Sequence, residues 1–330
     1  MRFKKKEDIM QRVLVTGGTG FLGSSIVQRL VSTQGIEYVV VPTTNIRGKT
    51  SLDLLKINSK KLHLINGDVR DYDFIQRMFN EYEFDVILHL GAQSEVRKCQ
   101  GNAKLAYDTN IGGTINLLEA ARLFGNIKAI VVSSSDKAYG NSELPYVEGA
   151  PLDGKGIYEV SKSCQDLIAR SYFYNYNLPV VVTRCSNLYG GTDMNFSRII
   201  PNTIRSIFNN KSPLIWTGAE NFIREFLYVE DAVSAYLSLA KNIEITMGNA
   251  YNIGSGEKIT IRELVTNILD KISTNVEIEY REKTFPEISN QYLDSSKIKK
   301  DIGWESEVNL DKGLDNTIEA YRQRFLKGEI

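Results

Sequence analysis

The stretch from Val13 to Leu30, VLVTGGTGFLGSSIVQRL, constrains this chain more than any other. A short apolar run leads into a cluster of glycines, and the glycines lead into a segment whose apolar residues recur at helical spacing. Strand, glycine-rich turn and amphipathic helix stand in the order a dinucleotide site requires. The glycines admit backbone conformations and close approach that a Cβ would block, and the helix start offers unpaired N–H groups to a pyrophosphate. Gly17, Gly20 and Gly23 fit G-x-x-G-x-x-G, while Gly18, Gly20 and Gly23 fit G-x-G-x-x-G. An ordinary tight turn would use the same residues; the flanking strand and helix favour the phosphate-binding reading.

Apolar, β-branched runs recur through the first half: RVLVT (12–16), YVVV (38–41), LHLI (62–65), DVILHL (85–90), AIVV (129–132) and VVVT (180–183). Helix-like segments separate them. Runs apolar on both faces and alternating with helices predict an α/β fold with a doubly wound parallel sheet covered on each side. Ligands of such sheets sit at the carboxyl ends of the strands. After NLYGGTDMNF the cadence breaks into helices such as FSRIIPNTIRSIF and short strands such as VEIEY. A dinucleotide-binding domain over 1–187 and a smaller mixed α/β lobe over 188–330 are expected, with a strand near 249–254, AYNIGS, returning to the large sheet.

The 40 basic and 40 acidic residues cancel, so bulk charge attracts neither nucleic acid nor an anionic membrane. The lysines at 4–6 read as a solvated tail. No apolar run approaches the roughly 20 residues that span a bilayer, and no secretion signal is visible, so a cytoplasmic protein is expected. Cys99, Cys164 and Cys185 are odd in number and widely spaced, and His63 and His89 have no partner at ligand spacing; neither disulfides nor a metal are expected.

The acid that commonly meets an adenosine ribose is missing, since the second strand ends in VVVPTTNIRGK. NAD and NADP both stay open. Arg47 would suit a 2′-phosphate, or is simply an exposed loop arginine. Asp68, after the third strand, either faces the adenine end of a cofactor or caps the following helix.

Tyr158 and Lys162 stand four apart in GIYEVSKSCQDLIARSYF, so a helix puts them on one face. Val160, Cys164, Leu167, Ile168 and Ser171 make another face, suited to a neighbouring helix or a second subunit. A phenol acting as a base at neutral pH needs a shift of about three units, roughly 4 kcal/mol. One ammonium about 4 Å away at an effective dielectric near 20 supplies roughly that amount, so Lys162 is expected nearly to suffice. By itself such a pair is a common surface accident. Joined to the glycine turn and to the serines of SSSDKAYG (133–140), it reads as an acid–base site in which a serine hydroxyl holds a substrate oxygen.

These segments closely resemble the extended short-chain dehydrogenase/reductase family of nucleotide-sugar enzymes. The landmarks appear in order: TGGTGFLG, GDVRD, HLGAQ, SSSDKAYG, Tyr158-x-x-x-Lys162, RCSNLYGG, REFLYVEDAV and YNIGSGE. Gly91 stands where the family often has alanine, and REF replaces the frequent RDF. The resemblance implies a Rossmann sheet holding NAD, with NADP not excluded, against Gly17, Gly20, Phe21, Leu22, Gly23, Asp68, Val69, Leu90, Gly91, Ala92, Tyr158 and Lys162. It implies a nucleoside-diphosphate sugar in the cleft, near Asn187 and Arg224; Gln93 is a further substrate candidate, Arg198 either meets phosphate or the helix dipole of a neighbour, and Arg281 is a weaker phosphate candidate. A homodimer joined by helices near 103–124 and 157–176 is also implied. An arginine fork and an amide are sensible anion partners, although Arg224 has Glu225 and Glu230 as alternative partners.

Within that family, C4 epimerases usually carry small or uncharged residues after the catalytic Ser or Thr, whereas sugar 4,6-dehydratases carry an acid and a base. The sequence SDK at Ser135, Asp136 and Lys137 is similar to that of the CDP-glucose 4,6-dehydratases. The resemblance implies Asp136 as acid and Lys137 as base in removing water once C4 is a ketone. A lysine base must be uncharged, which burial beside other positive charge favours. The alternatives are a surface ion pair at 136–137, an epimerase acting at C4 or C2, or a non-enzymatic dinucleotide sensor, which would not need Tyr158 or Lys162.

Overall fold

The computed structural model describes residues 10–45, 50–124, 126–282 and 288–329; Arg47 and the lysines at 4–6 lie outside them. The apolar runs form six parallel strands, β1 (Arg12–Thr16), β2 (Tyr38–Thr43), β3 (Leu62–Asn66), β4 (Val86–His89), β5 (Ala129–Ser133) and β6 (Val180–Cys185). The strand Ala250–Ile253 pairs parallel with β6, Ala250 opposite Val182. The seven-stranded order is Ala250–Ile253, β6, β5, β4, β1, β2, β3. All connections are parallel crossovers, as expected of strands separated by helices.

Both faces of the sheet are dry, which is why its strands lack polar alternation. Val13, Val15, Val39, Val41, Leu88 and Val131 point to one side, where they pack with helix α1 (Phe21–Val31) and the helix Val229–Lys241. Leu14, Val40, Ile87, Ile130, Val132 and Val182 point to the other, against the helices Tyr72–Glu81, Gly113–Phe124 and Ile157–Tyr176. Residues beyond 188 are thus divided between the large sheet and a second layer.

That second layer is centred on the strand Ile223–Tyr228. Asn187–Tyr189 and Asn290–Gln291 pair parallel with it and Lys258–Thr260 pairs antiparallel. Tyr189, Phe226, Ile204, Leu264 and Ile268 form its core with the helices Ile199–Phe208, Ile261–Ile272 and Leu310–Leu326. Leu214–Trp216 and Glu279–Arg281 make a separate two-stranded sheet. The strand order reverses between β1 and β4, and the crevice at their carboxyl ends faces this second layer.

Candidate active site

The crevice floor is built from backbone. Gly17 adopts φ +67°, and a Cβ there would lie 2.8 Å from the Gly91 nitrogen and from the Leu90 carbonyl. The turn after β1 therefore packs directly on the loop after β4, and only glycine satisfies both the backbone angle and the contact. A Cβ on Gly23 would lie 2.2 Å from the Gly17 carbonyl oxygen, so that glycine lets α1 close on the turn. Gly20 caps α1 without a side chain, leaving the helix start open to an anion. Phe21 and the buried Leu22 anchor this end of the helix in the core. These features fit a dinucleotide pyrophosphate.

Asp68 has a different role from the capping one considered above. Asp71 caps the helix Tyr72–Glu81, accepting from the Phe74 N–H at 3.0 Å. Asp68 is instead gripped by the Arg70 guanidinium, at 2.9 Å and 2.5 Å to Oδ2, which holds its carboxyl below the usual range. Val69 packs against Gly113, whose absent Cβ leaves room for it. Leu90 and Gly91 are tied to Thr16, the Gly91 N–H donating to its Oγ1 at 3.0 Å. Ala92 is half-buried beside them.

SSSDK leaves β5 at Ser133 and runs through Ser134 and Ser135 into a short 3-10 turn, Asp136–Tyr139. The Ser135 hydroxyl accepts from the Lys137 N–H at 3.2 Å and donates to Asp136 Oδ1 at 3.0 Å. The Tyr158 phenol lies beside it, and the Ser135 hydroxyl opposes the phenol's upward shift. Lys137 Nζ lies 3.6 Å from Asp136 Oδ1 and donates to Asn187 Oδ1 at 3.2 Å. Asp136 is 1% exposed and its Oδ2 has no hydrogen-bond partner among the described residues, so the pair is not a surface ion pair. Ser135, Asp136, Lys137 and Tyr158 converge.

The Tyr158–Lys162 electrostatics depart from the simple expectation. Burial pushes the phenol up to about 12, with the Ser135 hydroxyl and Arg198 opposing. Burial likewise pulls the Lys162 ammonium down to about 7. Lys162 Nζ stands 6.0 Å from the Tyr158 ring centre and donates to the Ser133 carbonyl at 2.7 Å and to Gln165 Oε1 at 2.8 Å. Desolvation therefore outweighs the ammonium's pull, and Lys162 alone does not make the phenol a base.

Of the residues assigned to a sugar nucleotide, Asn187 joins the cluster, its Nδ2 donating to the Glu225 carbonyl at 3.2 Å. Arg198 starts the helix Ile199–Phe208, pairs with Asp193 at 2.8 Å and reaches over the Phe21 ring at 5.9 Å, which brings it to the turn end of the crevice. Gln93 is positioned by its backbone, its N–H donating to Asn110 Oδ1 at 2.7 Å. Arg224 is 5% exposed and grips the Ile288 and Ser289 carbonyls at 2.6 Å and 2.7 Å. Arg281 lies on the exposed strand Glu279–Arg281 and pairs with Glu279 at 2.6 Å rather than with the cluster.

Two residues of the site were not singled out from the sequence. Asn110 is fully buried in the one π-helical turn among the described residues, Asp108–Gly112, and its amide holds both the Gln93 carbonyl and the Ser161 hydroxyl. Glu225 accepts from the Gly256 and Leu293 N–H groups at 2.7 Å and 2.8 Å, and burial pushes its carboxyl up to about 7. The only sequence signal for Glu225 was the REF departure from RDF: the longer side chain reaches two backbone donors.

A seven-stranded parallel sheet with a Tyr-x-x-x-Lys helix laid beside the carboxyl ends of its strands is the framework of the short-chain dehydrogenase/reductase class. The chain belongs to the GDP-mannose 4,6 dehydratase family, whose pattern its residues 14–317 match. It is 31% identical to a probable dTDP-glucose 4,6-dehydratase of Sinorhizobium fredii, over 94% of this chain and 92% of that one. Among solved structures it resembles the dTDP-glucose 4,6-dehydratase DesIV of Streptomyces venezuelae with NAD bound, at 28% identity and a TM-score of 0.87, covering 96% and 98% of the two chains. It resembles equally the UDP-glucose 4-epimerase of Thermotoga maritima with UDP-glucose, at 26% identity and a TM-score of 0.87, covering 95% and 99%. Among the described residues no helix is long and apolar enough to cross a membrane.

Proposed function

We propose that this protein is an NAD-dependent nucleotide-sugar 4,6-dehydratase that converts a CDP-glucose-like substrate to the 4-keto-6-deoxy sugar. One observation carries the reading: a buried carboxyl, Asp136, with an unpartnered Oδ2, stands beside an amine, Lys137, next to Ser135 and Tyr158. An epimerase has no use for that extra pair.

The glycine turn of Gly17, Gly20 and Gly23 would hold NAD, which would supply hydride transfer from C4 and back to C6. Ser135 holds the sugar O4 and Tyr158 takes its proton, with the Lys162 ammonium close by to favour the phenolate. The C4 ketone acidifies the C5 proton. Lys137 removes that proton while Asp136 passes one from Oδ2 to the departing C6 oxygen, so the sugar loses one water, and Lys137 returns its proton to C5 as the hydride reaches C6. Asn187 holds Lys137 on the substrate side, and Arg198, at the start of its helix, offers a cation to the diphosphate.

The exposed apolar side chains support a homodimer. Ile115, Leu123 and Phe124 on the helix Gly113–Phe124, with Leu167 and Tyr174 on the helix Ile157–Tyr176, are each at least 36% exposed. A second copy would cover them by pairing the two helices.

The test is incubation of the purified protein with CDP-glucose, and in parallel with the UDP, TDP and GDP sugars, followed by mass spectrometry. A product lighter by one water supports the dehydratase. An isomer of unchanged mass identifies an epimerase instead, the reading that the Thermotoga maritima likeness favours.

A further inference from the structure

Beneath the catalytic pair runs a buried hydrogen-bonded chain for which the reaction above has no use. Lys162 Nζ donates to Gln165 Oε1, and Gln165 Nε2 donates to Thr114 Oγ1, both at 2.8 Å. His89 Nε2 lies 2.9 Å from the same Thr114 oxygen, and His89 Nδ1 lies 2.7 Å from Thr16 Oγ1. The Gly91 N–H then donates to Thr16 at 3.0 Å. Thr16, His89 and Thr114 are fully buried and Gln165 is 1% exposed.

The polarity of the chain has a single solution. The Thr114 hydroxyl gives its hydrogen to the Asn110 carbonyl at 2.7 Å, so its oxygen can only accept from Gln165 and from His89. His89 Nε2 therefore carries the ring hydrogen, and Nδ1 accepts from the Thr16 hydroxyl, whose oxygen accepts from Gly91. Because Thr114 accepts from both sides, no proton can pass along the chain without reversing it. The arrangement is a brace, and it joins the catalytic lysine to the loop against which the glycine turn packs.

We propose that Gln165 and His89 are positioning residues: a neutral, Nε2-protonated His89 and the Gln165 amide hold the Lys162 ammonium and the Gly91 N–H in one fixed register. The proposal rests on the reading of Tyr158 and Lys162 as the catalytic pair. A charged His89 would present a hydrogen to Thr16 from Nδ1 and add positive charge near Lys162; burial and Lys162 hold its pKa down, to about 3. Lys162 also faces the Cys99 thiol from the helix Val96–Gly101 and the Cys185 thiol at the end of β6, with Asp136 and Arg198 acting on Tyr158 beside it. Gln165 is the neutral acceptor that lets the ammonium persist among them.

Two measurements test this, the first without any substrate. In the intact protein, ring-nitrogen NMR of the two histidines, assigned with a His63→Gln variant, is expected to show His89 neutral and Nε2-protonated from about pH 5 to 8. Titration of His89 near its ordinary value, or an Nδ1-protonated ring, overturns the proposal whatever the protein's activity. In the second, Gln165→Met withdraws one acceptor from the ammonium. The alkaline limb of the kcat profile, where the ammonium is lost, is expected to move down by about one pH unit, about a tenfold loss above it, with KM changed less than about twofold. A lower melting temperature with an unmoved limb would make Gln165 structural only and overturn it. Failure of Tyr158→Phe to abolish turnover would instead sink the catalytic reading, leaving the NMR result interpretable on its own.

Discussion

The two halves of the proposed catalytic cluster are built differently. On the Lys162 side the hydrogen bonds run continuously from the ammonium through Gln165, Thr114 and His89 to Thr16. On the Asp136 side a buried carboxyl oxygen has no partner among the described residues, and the Lys137 ammonium rests on Asp136 and Asn187, with a quarter of its side chain exposed. A closed network costs nothing to reorganise when the reaction starts, whereas an unpartnered buried oxygen costs stability until a ligand meets it. The contrast suits a site that oxidises with preset parts and eliminates with parts that the substrate completes.

Breaking the closed half should have the largest effect. Tyr158→Phe is expected to lower turnover by about 10³- to 10⁴-fold with NAD affinity unchanged, measured by product assay and cofactor titration; appreciable residual turnover would dissolve the distinction between the halves. Asp136→Asn is expected to cost about 10²- to 10³-fold in water loss while sparing the earlier step, visible as continued exchange of a C4 deuterium label without dehydration. If label exchange and dehydration fall together, the two halves act as one.

Asn187→Ala frees Lys137 on one side and is expected to lower kcat by about tenfold to a hundredfold through misplacement, with the melting temperature little changed. The smallest effect concerns Glu225, whose carbonyl holds Asn187. Its carboxyl is pushed up from 4.5 to about 7 by burial, so the native protein keeps a proton that the unfolded chain releases. That contribution to stability is present below about pH 4.5 and is lost as pH rises through about 7. Urea midpoints of Glu225→Gln across this window should be flatter than those of the parent.

Much of the closed half could be read from the chain because it is local. Gly17, Gly20 and Gly23 follow a strand and open a helix, and Tyr158 and Lys162 share a helix face by spacing alone. The rest depends on which residues tertiary folding brings together. Asn110, 51 residues before Ser161, carries no motif, and His89 seemed isolated because its partners are threonines from distant segments. Asp68 was weighed as a cap, but the cap is set by which residue lies one before the helix, and that is Asp71. The direction of the Tyr158 shift could not be read either, since spacing shows the ammonium and not the loss of water around both groups.

The strand Ala250–Ile253 has a consequence for how the molecule is made. A ribosome releases β6, an apolar run from Val180 to Cys185, long before the strand that covers its flank. Throughout that interval the nascent sheet presents a bare row of backbone donors and acceptors to other chains. Premature termination anywhere between residues 186 and 249 should therefore yield insoluble product.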